Sequence, residues 1–118
     1  MSVNKYFSVF SSKNKNFLLN KTDIFFEIPN KYFNDLDNYI DDFLKDKFQQ
    51  NIIIKEMRKI LKVEEFGDTD VYYLIEVNDF LPEQESLNLN SLFNSNFHNL
   101  DLFLESFISK EFIHVKNL

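Results

Sequence analysis

Apolar residues recur along this chain in two rhythms. Between residues 30 and 49 they fall at Phe33, Leu36, Ile40, Phe43, Leu44 and Phe48, the three- and four-residue spacing of one helical face. Pro29 stops what precedes, and Asn30 can cap, so a helix is predicted over 30–49. Between residues 71 and 78 the period is two: Val71, Tyr73, Ile75 and Val77 share one face of a strand, and Tyr72, Leu74, Glu76 and Asn78 share the other. The first set is expected in the core. The second set is expected to place Tyr72 and Glu76 outward.

The remaining elements follow from shorter signals. Val3, Tyr6, Phe7, Val9 and Phe10 suit a first strand, and the polar run at 11–16 suits a turn. Residues 17–28 hold two apolar pieces around a polar centre and predict a second strand, broken or bulged, paired with the first. Residues 52–65 carry both a helical stripe (Ile53, Met57, Ile60, Leu61) and a β-branched triple Ile. A strand is preferred because Phe66-Gly67-Asp68-Thr69-Asp70 has turn chemistry and leads into another strand. A polar loop is expected over 79–90. A second helix is read through Leu92, Phe93, Phe97, Leu100, Phe103, Leu104, Phe107 and Ile108, and a last strand over 111–116. Together these predict one α+β domain spanning 1–118, with a mainly antiparallel sheet of about four to five strands and two amphipathic helices.

Composition removes several function classes. Without Cys there are no disulfides, thiolate metal sites or cysteine nucleophile. A single glycine cannot build a dinucleotide fingerprint, a P-loop or a nucleophile elbow, which need several glycines for close backbone approach. The formal charge of −6 disfavours nucleic acid and anionic membranes as partners. No apolar run suggests a signal peptide or membrane span, so a cytoplasmic location is expected.

Charge is unevenly placed. No Lys or Arg occurs between Lys62 and Lys110, and that interval holds Glu64, Glu65, Asp68, Asp70, Glu76, Asp79, Glu83, Glu85, Asp101 and Glu105. Asp68-Thr69-Asp70 lacks the following glycine and closing Glu of a calcium loop. His98 and Asp101 lie one helical turn apart, with Glu105 a further turn along, but a metal site would require His114 to approach. No catalytic residue, metal site or cofactor is therefore assigned, and a non-enzymatic role is expected. What remains is an acidic and aromatic constellation including Phe66 and Phe80, with Asp68, Asp70, Tyr72, Glu76 and Asp79 as the expected contact residues for a basic protein partner. Aromatic rings supply contact area, and carboxylates attract a cationic surface over distance.

In size, charge and its Asn/Lys/Phe/Ile-rich composition, and in the acidic and aromatic centre EEFGDTDVYYLIEV, the chain resembles immunity proteins of bacterial contact-dependent growth inhibition and related polymorphic toxin systems. That resemblance implies a cytoplasmic antidote to the C-terminal toxin domain of a secreted effector, often a nuclease with a basic cleft. No diagnostic motif transfers a residue role. A phage-type inhibitor that mimics nucleic acid is the alternative, and it would need carboxylates spaced like phosphates.

Overall fold

The computed structural model describes residues 2–49, 52–78, 81–82 and 85–117. Its frame is a mixed sheet of seven strands: β1 (Ser2–Ser11), β2 (Asn16–Leu18), β3 (Phe26–Ile28), β4 (Ile54–Glu65), β5 (Asp68–Val77), β6 (Ser86–Asn88) and β7 (Ile113–Asn117). The order is β6-β2-β1-β5-β4-β7, and β3 also pairs with β1. Helix α1 (Leu36–Phe48) lies on one face, while α2 (Leu89–Leu92) and α3 (Leu100–Ser109) lie on the other. The α+β class holds. The expected sheet of four to five mainly antiparallel strands is corrected: β1 runs parallel to β5 over ten residue pairs, from Ser2↔Asp68 to Ser11↔Val77, and β4 runs parallel to β7.

Covering both faces explains the apolar content of the central strands. Phe7 and Val9 of β1 pack with Ile40 and Leu44 of α1, whereas Phe10 packs with Phe103 of α3. Strands buried on both sides read as nearly continuous apolar runs, a mark of parallel pairing at the middle of a sheet. Residues 17–28 form two short strands, β2 and β3, which both pair with β1, as the broken apolar pattern suggested.

The second helix also needs correction. It is divided into α2 and α3 by residues 93–99, where Asn94, Ser95 and Asn96 weaken helical continuity and Asn99 turns left-handed at φ 61°. Strand β4 is interrupted by a register shift between Lys59 and Leu61, and the buried Ser106 hydroxyl of α3 donates to the Ile60 carbonyl at 2.7 Å. That bond ties α3 to the sheet at the bulge. Among the described residues no helix is long and apolar enough to cross a membrane.

Candidate functional site: the acidic hairpin end

Strands β4 and β5 are joined by two residues, Phe66 and Gly67, between the paired Glu65 and Asp68. Both loop residues have positive φ, 53° and 83°, as in the type I′ turns that match strand twist. Gly67 takes this conformation freely. Phe66 does not: a bulky residue in the left-handed region costs roughly 1–2 kcal/mol. The other non-glycine residues at positive φ among the described residues are Lys15, Lys21, Gln49, Asn99 and Lys110, all polar. Phe66 is also 90% exposed, so packing does not offset its strained backbone.

Carboxylates predominate around this tip: Glu64, Glu65 and Asp68 line the hollow beside Phe66 together with one cation, Lys116. Asp68 accepts a hydrogen bond from Ser2 Oγ at 2.7 Å, and Asp70 accepts one from Asn4 Nδ2 at 3.0 Å. Glu64 lies 2.6 Å from His114 Nε2, which donates to it. That bond, assisted by Lys62 and Lys116, holds the Glu64 carboxyl below its usual range. Glu65 has no comparable tie and adjoins an open groove of about 1010 Å³.

The groove joins three parts of the fold. Asp101, Leu104, Glu105 and Ile108 present one side of α3, Val63 and Val115 come from the paired strands β4 and β7, and Phe93 and Phe97 come from the segment between α2 and α3. Phe93 and Ile108 are more than half exposed. No Lys or Arg lines the groove, whereas Glu65, Asp101 and Glu105 do. Glu65 and Asn117 also line the smaller hollow around Phe66, so tip and groove form one continuous surface.

The residues expected to share a contact surface are dispersed. Asp68 and Asp70 sit at the hairpin end. The outward placement of Tyr72 is corrected: it is 3% exposed, stacked on Tyr6 at 5.1 Å between ring centroids, and hydrogen bonded by Asn99 Nδ2 at 3.0 Å. Burial pushes its phenol up to about 12, and Asp70, Tyr6 and Asp23 add to that against the opposing Asn99 bond. Tyr72 lies under the α3 layer, which a period of two cannot reveal. Glu76 is eight residues along β5 from Asp68, about 26 Å at ~3.3 Å per residue, and faces Glu56 across the strand pair. Asp79, with Phe80 and Glu83, lies outside the described residues.

His98, Asp101 and Glu105 line the groove, but His114 is engaged with Glu64. Among the described residues no group of three or more His, Asp or Glu side chains is arranged to hold a metal ion. Phe66 belongs to the acidic and aromatic constellation of the sequence but is not among the expected contact residues. The available signal was its place immediately before the lone glycine, in a position of a two-residue hairpin that normally takes Asn or Asp. Compared with known proteins, the chain matches no family model and no curated protein sequence.

Proposed function

We propose that this chain is an immunity protein of the contact-dependent growth inhibition type, which binds and neutralises the C-terminal toxin domain of a secreted effector in the cytoplasm. The partner is a basic protein domain, a nuclease whose cleft is occluded; nucleic acid, membrane, cofactor and catalysis have no part in the mechanism. The observation that carries this reading is Phe66, exposed and backbone-strained at the tip of an acidic hairpin. Local strain kept without local benefit points to a use elsewhere.

Carboxylates at the hairpin and along the groove steer a cationic cleft into place, raising the association rate most at low salt. Phe66 then enters the cleft, where burying a Phe side chain contributes about 1.5–3 kcal/mol. The apolar residues of the groove exclude water around that anchor. The separation of Asp68 and Asp70 from Glu76 weighs against a nucleic-acid mimic, whose carboxylates must follow a phosphate-like row.

The test uses the wild-type chain and Phe66→Asn as parallel baits in lysate of the source cells, with washes of rising salt. Wild type is expected to retain one basic toxin domain at near-equal stoichiometry and to block its nuclease activity, whereas Phe66→Asn releases it. Retention of a host nucleic-acid enzyme instead supports the mimic. Equal retention of the toxin by both baits removes the hairpin tip from the mechanism.

A further inference from the structure

The opposite end of the sheet is built differently. Helix α3 ends at Ser109, where Lys110 turns left-handed at φ 63°, while the strands continue beneath it. Two rungs lie there: Ser8, Leu74 and Arg58, then Phe10, Glu76 and Glu56. Leu74, Phe10 and the two glutamates share a sheet face with Arg58, because they alternate along their strands. Between this surface and the end of α3 is a pocket of about 550 Å³, within the ~300–1,000 Å³ typical of small-molecule sites.

Its apolar side comes from Phe10 and Leu74 of the sheet and from Phe107 and Ile108 of α3. Its cations come from separate parts of the chain. Lys15 belongs to the β1–β2 turn, Lys55 and Arg58 to β4, and Lys110 to the end of α3. Four cations against Glu56 and Glu76 leave the lining positive in a protein of formal charge −6. Among the described residues, Lys15, Lys55 and Lys110 make no ion pair within 4.0 Å. Arg58, the only arginine, meets Glu56 through Nε at 3.8 Å, which leaves its Nη donors for another partner. A half-buried guanidinium fork beside apolar side chains is suited to a carboxylate, which it can grip with two parallel hydrogen bonds.

We infer that this pocket binds a small amphipathic anion, a carboxylate carried on an apolar body. The carboxylate meets Arg58 and Lys110, and the apolar body lies against Phe10, Leu74 and Phe107. The site is independent of the toxin-binding reading and lies at the other end of β5.

The test is a ¹H–¹⁵N NMR titration of the full chain with decanoate, decanol and decyltrimethylammonium in parallel. Decanoate is expected to shift amides around Phe10, Leu74 and Phe107, and to bind about tenfold more tightly than decanol, as one charge-assisted contact provides. The cationic amphiphile is expected not to bind there. Arg58→Gln and Lys110→Asn should each weaken decanoate by about tenfold and leave decanol unchanged. Asn tolerates the left-handed position of Lys110, so that variant keeps the fold if Arg58→Gln does not. Equal affinity for decanoate and decanol overturns the inference. So do shifts centred on the acidic groove, decanoate binding unaffected by either folded variant, or no decanoate binding up to its solubility.

Discussion

At one end of β5, Asp68 and Asp70 stand beside the exposed Phe66 and a groove without cations; at the other, Glu76 stands among Lys15, Lys55, Arg58 and Lys110. These acids belong to one short interval of sequence, yet the strand carries Glu76 about 20 Å from Asp70 and about 26 Å from Asp68, at ~3.3 Å per residue. The screening length at physiological salt is ~8 Å, so the two ends act as separate electrostatic environments. An extended strand disperses a local charge run, whereas a hairpin tip concentrates one. The acidic end therefore suits a cationic protein surface, and the opposite end suits a small anion.

The sharpest way to break this contrast is at Phe66. Once the partner is in hand, Phe66→Asn is expected to weaken binding by about 3 kcal/mol, on the order of a hundredfold, as loss of an interface anchor does. Glu76→Gln, at the other end, should leave the same affinity unchanged in calorimetry. Equal losses from both changes would erase the distinction between the ends.

The next largest effect concerns the buried phenol between them. Tyr72 has a folded pKa of about 12 against 10.0 for an unperturbed phenol. Its neutral form is favoured by folding, so the contribution is fully present below pH 10.0 and is lost as pH rises through about 12. The loss is on the order of 2–3 kcal/mol. Denaturant melts across that window should show it in the wild type and not in Tyr72→Phe. A wild type equally stable at both pH values would mean that Tyr72 is not held neutral by burial.

Smaller effects separate steering from anchoring. Reversing Glu65 and Asp68 to Lys should slow association about tenfold at low salt and flatten its salt dependence, with dissociation little changed. Stopped-flow traces unaffected by the reversal would remove steering from the mechanism. In the free protein, Phe66→Asn should raise stability by roughly 1 kcal/mol, because Asn accepts the left-handed turn position at less cost. A destabilised Phe66→Asn would show that Phe66 supports the fold instead of a partner.

Much of this architecture was legible in the chain. The helix predicted over 30–49 contains α1, but its start is corrected: Asn30–Tyr32 forms a separate 3-10 turn, and α1 begins at Leu36 with Asp35 in the N-cap position. The turn chemistry after Glu65 favours β4 over a helix, as found. The alternation at 71–77 located β5 but misplaced Tyr72, because the alternating pattern assigns faces without saying whether the second face is covered. Pairing of β1 with β5 depends on residues more than sixty positions apart, and no local signal sets their direction. The apolar density of both strands was the available hint. Asp68 and Asp70 are legible as acids of a turn, whereas the cations around Glu76 arrive from three distant segments that only the fold assembles.

Hydrogen exchange of the chain, free and bound to the basic toxin domain proposed as its partner, tests the central claim most directly. Protection is expected at Glu65–Asp68 and along Asp101–Ile108, with exchange around Glu56, Arg58 and Glu76 unchanged. Protection confined to Glu56, Arg58 and Glu76, with the Phe66 turn exchanging as in the free protein, would contradict it.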